Sequence, residues 1–100
     1  MILIVRRLIV VIFVTLLLMK QKHPLLIQLG QNIRAFRKKI GLSQEALAFQ
    51  AELDRTYVGG VERGERNIGV LNLCGIAHAL GVPPAALLDG IGTEGELERS

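Results

Sequence analysis

Residues 41–64 read GLSQEALAFQAELDRTYVGGVERG, and this stretch decides the fold. Ser43 can cap a helix with its hydroxyl, and Glu45 then sits in the first turn, facing the positive end of the helix dipole. The spacing predicts a helix from Gln44 to about Gln50. Asp54 is a second cap, opening a helix from Arg55 to Glu62 that Gly64 ends. Only Ala51-Glu52-Leu53 joins the two, so they must cross steeply and touch. The contact needs a small residue midway along the first helix, and Ala48 is there. Leu47, Ala51, Leu53, Val58 and Val61 hold the positions that seal the crossing. Arg55, Thr56, Gly59 and Gly60 are left facing outward.

This is the pattern of a helix-turn-helix, spanning 44–62, whose second helix lies in the DNA major groove with its N-terminal residues at base edges. Working outward, Leu26, Leu29, Ile33, Phe36 and Ile40 recur every three or four residues and share one face of a preceding helix. Pro24 starts that helix and Gly41 ends it. Val70 to Leu80 is predicted as a further helix with Val70, Leu73, Ile76, Ala77 and Leu80 inward. Gly81 stops it, and Pro83-Pro84 opens a short last helix through Leu88. The fold class expected is therefore all-α, with five short helices over residues 26–88. Gly75 is read as a tolerated helix glycine.

Half the 100 residues are hydrophobic, but much of that share is a block from Ile2 to Met19. Aromatics are few, which suits a small helical bundle better than a barrel or sandwich. Residues 19–88 carry nine Lys/Arg against five Asp/Glu, whereas the tail from Asp89 carries four acids and one Arg. A basic body suits a polyanionic partner. Cys74 is the one cysteine, so no internal disulfide can form, and it reads as a core residue. Cys74 and His78 lie one turn apart, but two ligands with only His23 as a third candidate do not make a zinc site. No metal or cofactor is expected, and no nucleophile–base pair points to an enzyme.

The N-terminal block admits three readings. A signal peptide lacks a small-residue cleavage site after it. A membrane anchor needs about 20 apolar residues, and Arg6 and Arg7 interrupt this run. The preferred reading is that Met19-Lys20 is the ordinary start and residues 1–18 come from an over-extended reading frame. Any membrane contact would depend on residues 1–18 alone, and DNA contact is expected not to use them. Residues 89–100 are expected to be a disordered acidic tail, with no second domain beyond it.

The motif Gly41-Leu42-Ser43-Gln44-Glu45-x-Leu47-Ala48, followed by Arg55 to Gly64, resembles the phage-repressor family (lambda Cro/C1, also called Xre). Leu73-x-x-Ile76-Ala77-x-Ala79-Leu80-Gly81-Val82 is similar to that family's fourth helix. The resemblance covers about Leu26 to Leu88 and implies a lambda-repressor-like domain that binds double-stranded DNA. It departs at Glu52, where the family usually has glycine.

Carried over by position, the resemblance gives a candidate DNA-binding set. Ser43 caps the first helix of the reader, and Gln44 bridges a phosphate and the recognition helix. Arg55 and Thr56 reach base edges, Arg55 with the option of a bidentate contact to guanine; its alternative is a phosphate contact. Tyr57 touches a phosphate or only packs. Gly59 and Gly60 let the helix backbone approach DNA, while Arg63, Arg66 and Asn67 hold phosphates. Arg37 and Glu62 are expected to form a salt bridge that fixes the recognition helix. The implied function is a stand-alone cytoplasmic transcriptional regulator acting as a homodimer, with Leu71, Val82, Ala85, Leu87 and Leu88 as the dimer surface. An antitoxin-like protein-interaction module and a membrane-tethered regulator are the alternatives.

Overall fold

Six α-helices and, among the described residues, no strand make up the computed structural model, which describes residues 2–18 and 22–92. They are α1 (Ile2–Leu18), α2 (Pro24–Lys39), α3 (Gln44–Ala51), α4 (Arg55–Glu62), α5 (Val70–Leu80) and α6 (Pro84–Leu87). The five helices expected over the body form within a residue or two of their expected bounds. The start at Met19 and most of the acidic tail lie outside the described residues.

The caps explain the boundaries. The Ser43 Oγ accepts from the Ala46 N–H at 3.0 Å, and an Asp54 carboxylate oxygen accepts from the Thr56 N–H at 2.7 Å. At the start of α2, His23 Nδ1 takes the Leu25 N–H while Pro24 occupies the first helical position. Helices α2 to α5 end alike, on a left-handed residue whose successor donates back five residues, as from Leu53 to the Ala48 carbonyl at 2.8 Å. That residue is glycine in three cases and Glu52, at φ 57°, in α3. The non-glycine costs roughly 1 kcal/mol, which a packed domain tolerates.

The core joins Leu29, Ile33, Leu47, Ala48, Val58, Val61, Ile76, Ala77, Leu80 and Leu87. Helix α3 packs on both α4 and α5, and α2 packs on α4. Leu47, Ala48, Val58 and Val61 therefore meet at the helix crossing as the sequence requires.

Several expectations need correction. Val70 is 73% exposed, because it opens α5 and Ile68 packs against the core in its place. Ile40 is half exposed, lying one residue beyond the last turn of α2. Cys74 is exposed, since Leu73, Ile76 and Ala77 turn the other side of α5 inward. Leu87 is fully buried, because the single turn of α6 folds it inward. Asn32 Nδ2 secures that turn by donating to the Leu87 and Asp89 carbonyls at 2.9 and 3.0 Å. Ile91, assigned to the tail, instead packs partly buried against the core.

The N-terminal block is helical. Its large apolar side chains from Ile2 to Val14 are each 45% or more exposed, and Thr15 Oγ1 donates to the Val11 carbonyl at 2.7 Å. No described helix is long and apolar enough to cross a membrane.

Candidate nucleic-acid interface

The position of α4 is set from both ends. At its start, Asp54 caps the helix and leaves Arg55 and Thr56 exposed on the first turn. At its end, Glu62 is buried with its carboxylate facing α2. Arg37 donates to it from two nitrogens, Nε to Oε2 at 2.6 Å and Nη2 to Oε1 at 2.9 Å. The third Arg37 nitrogen donates to the Leu42 carbonyl at 2.9 Å, so one guanidinium ties α2, the α2–α3 turn and α4 together. The hydrogen bonds to Glu62 outweigh burial and hold the Arg37 guanidinium above its ordinary pKa range. The expected salt bridge is thus present, two-pronged and buried.

Gln44 completes this arrangement, its Nε2 donating to Glu62 Oε1 at 3.0 Å. The side chain at the first turn of α3 thereby grips the end of α4. Its amide oxygen points toward Gly59: a β-carbon there would stand 3.5 Å from it.

Gly59 and Gly60 are buried, not outward-facing. The reason lies in the loop that follows. A β-carbon on Gly59 would stand 3.0 Å from Arg63 Nη1, and one on Gly60 would stand 3.0 Å from Arg66 Cγ. Two exposed arginines fold back across the two glycines, which form a bed for them. Helical periodicity gives the direction of a residue but not what a later loop lays over it.

Arg55, Arg63 and Arg66 thus lie exposed on α4 and the loop after it. Arg55 approaches Glu45 only at 3.8 Å with both side chains mostly exposed, a contact easily given up to another anion. Arg63 Nε is closer to Glu65, at 2.9 Å. Asn67 lines a shallow cleft with His23, Leu25 and Leu26 at the start of α2. Ser43 is exposed with its oxygen engaged in capping. Tyr57 is half-buried against the core, and its hydroxyl oxygen accepts from Asn72 Nδ2 at 3.1 Å. Sequence reasoning missed Asn72, whose partner lies 15 residues away.

A model described as helix-turn-helix matches residues 33–87, more than half the chain. The chain belongs to the helix-turn-helix family. Control protein C.BamHI of Bacillus amyloliquefaciens is 49% identical over 61 residues, which are 60% of this chain and 75% of that protein. The crystal structure of the restriction-modification controller protein C.AhdI from Aeromonas hydrophila has 52% identity and a TM-score of 0.62, covering 62% of this chain and 94% of that one. The controller protein C.Esp1396I, solved as a tetramer in complex with its natural 35 base-pair operator, has 35% identity and a TM-score of 0.61 over 66% of this chain and 87% of its own. As a helix-turn-helix protein of the Cro/C1 type, the chain is a DNA-binding transcriptional regulator. In that motif α3 is the supporting helix and α4 the recognition helix.

Proposed function

We propose that the protein binds a pseudo-palindromic operator in double-stranded DNA as a homodimer, in the cytoplasm, and regulates genes of a restriction–modification system. The observation that carries this is the free first turn of α4. Arg55 and Thr56 are exposed there, while Glu62 at the other end is locked to Arg37 and Gln44. Arg55 and Thr56 are the base-reading residues of the proposal. Gln44, Tyr57, Arg63, Arg66 and Asn67 are its phosphate contacts, and Ser43 acts through its cap. Gly59 and Gly60 take part by bedding Arg63 and Arg66 at the DNA-facing edge. The likeness to control proteins supports the choice of regulated genes, and the operator-bound tetramer of C.Esp1396I supports assembly on DNA.

Dimerisation follows from information content. One short recognition helix reads about four or five base pairs, too few to select an operator among competing genomic sites. A two-fold pair doubles the readout. The surface proposed for it shifts from the one expected, because Leu87 is core and Val82 packs partly buried against that core. Leu71 at 88%, Val70 at 73% and Phe49 at 85% exposed are apolar groups on neighbouring helices α5 and α3, with Leu88 further along. Helix α1 has no part in this surface, and residues 1–18 are proposed as an appendage to the DNA-binding domain.

The test is a duplex enriched from a random pool. It should contain an inverted repeat with half-site centres about 34–36 Å, or one turn, apart. Inserting about half a turn of DNA between the half-sites rotates them to opposite faces and should abolish cooperative binding. Binding to single half-sites by a monomer, indifferent to the insertion, would exclude the dimer.

A further inference from the structure

We infer that Asn72 is a positioning residue for DNA contact: it aims the Tyr57 hydroxyl proton at a phosphate oxygen and links that contact to α5. This rests on the operator reading above.

A phenol has one proton to donate and lone pairs to accept with. The Tyr57 ring is half-buried against the core, so packing fixes the oxygen in space and leaves only rotation about the C–O bond. Asn72 Nδ2 donates to that oxygen at 3.1 Å. An N–H already directed at the oxygen excludes the hydroxyl proton from the same side, so the proton must point elsewhere. No hydrogen bond donated by the Tyr57 hydroxyl occurs among the described residues. Tyr57 is two positions from Arg55 on α4, in the part of the helix that faces DNA. An anionic oxygen is the acceptor suited to a donor kept free at that place, and a donor that also accepts is strengthened by the hydrogen bond it receives.

Asn72 also lies next to exposed Leu71 in α5, the helix that carries the proposed dimer surface. The chain of donation therefore runs from the dimer helix through Asn72 to Tyr57 and out to DNA. Any displacement of α5 on pairing moves the amide that sets the hydroxyl.

The inference requires that the amide nitrogen, not the amide oxygen, face the phenol. Asn72→Asp separates the two, because a carboxylate can only accept. It would draw the hydroxyl proton inward and away from DNA. Asn72→Ala merely frees the hydroxyl to rotate.

The experiment uses the full chain and the duplex enriched from the random pool, with affinities for the wild type, Asn72→Ala, Asn72→Asp, Tyr57→Phe and both double variants. Thermal denaturation and the monomer–dimer constant of each are measured alongside. Tyr57→Phe should weaken binding about fivefold per half-site, the effect of one hydrogen bond of ordinary strength. Asn72→Ala should weaken it by no more than that, and in the Tyr57→Phe background should have no further effect. Asn72→Asp should bind more weakly than Asn72→Ala, by a factor that shrinks when Tyr57→Phe is present and only charge repulsion remains. A residue that only supports the fold would lose affinity equally in both backgrounds. That result would overturn the inference, as would Asn72→Asp binding as tightly as Asn72→Ala. A wild-type chain that binds no duplex would overturn the operator reading and this inference with it, whereas wild-type binding with uncoupled Asn72 and Tyr57 would overturn this inference alone.

Discussion

Gly30→Ala should destabilise the domain by about 3 kcal/mol, the upper range for overpacking a close contact. A β-carbon at Gly30 would overlap the backbone carbonyls of Val61 and Glu62, where α2 crosses the end of α4. Those carbonyls belong to helical backbone and cannot swing aside as a side chain would. Relief requires α4 to move away from α2, which also pulls Glu62 from Arg37. In thermal denaturation the midpoint should fall by more than about 10 °C for a domain of this size. Gly75→Ala is the control, because its nearest neighbour is the Ala51 carbonyl at 3.9 Å. That change should leave stability the same or raise it by up to about 1 kcal/mol. Equal melting of the two variants would contradict the close α2–α4 contact.

Glu62→Ala should cost about 3–5 kcal/mol, since it leaves the Arg37 guanidinium buried without its partner. Arg37 is 8% and Glu62 7% exposed, so water cannot replace either one. Arg37→Ala should be similarly severe, because it strips the carboxylate of two donors and frees the Leu42 carbonyl as well. Replacing both by apolar residues of similar volume should recover much of the loss, as removing a buried pair together avoids a stranded charge. A double-mutant cycle measures this directly, and no coupling energy would refute the pairing. The pH dependence has a definite sign. The folded-state pKa of Arg37 is raised, so its contribution is complete below the ordinary arginine pKa and lost only as pH rises through the raised value. Stability from Arg37 should therefore not change across the neutral and mildly alkaline range.

These two changes also mark what the sequence could and could not reveal. Helix bounds were legible because Ser43, Asp54, Gly41, Gly64 and Gly81 are local signals, each acting within a turn of its own position. The Arg37–Glu62 pair was legible through the family resemblance, and the apolar face residues before each charge, Phe36 and Val61, spoke against two solvated groups. Gly30 was not singled out, although an isolated glycine within a helix pattern often has a packing reason. Its reason is a backbone 32 residues away, which periodicity does not contain. Val70 was misplaced because apolar character says a residue can be buried, not that the fold will use it; Leu87 failed the opposite way, read as surface but folded inward by the single turn of α6. Gly59 and Gly60 failed differently: their direction was readable, but the arginines laid over them come from a loop with no period. For the proposed DNA contacts, residue type and motif gave the candidates, while the Asn72–Tyr57 contact required the fold.

In the proposed function, α4 reads base edges through Arg55 while Arg66 holds the backbone. This is tested most directly by selecting duplexes from one random pool with the wild type, Arg55→Ala and Arg66→Ala in parallel, followed by affinity against salt. Arg55→Ala should lose about 1–3 kcal/mol and relax base preference at one position per half-site. Arg66→Ala should return the wild-type sequence while weakening all duplexes alike, with the salt slope reduced by about one. Unchanged preference and unchanged affinity in both variants would contradict the assignment of α4 as the recognition helix.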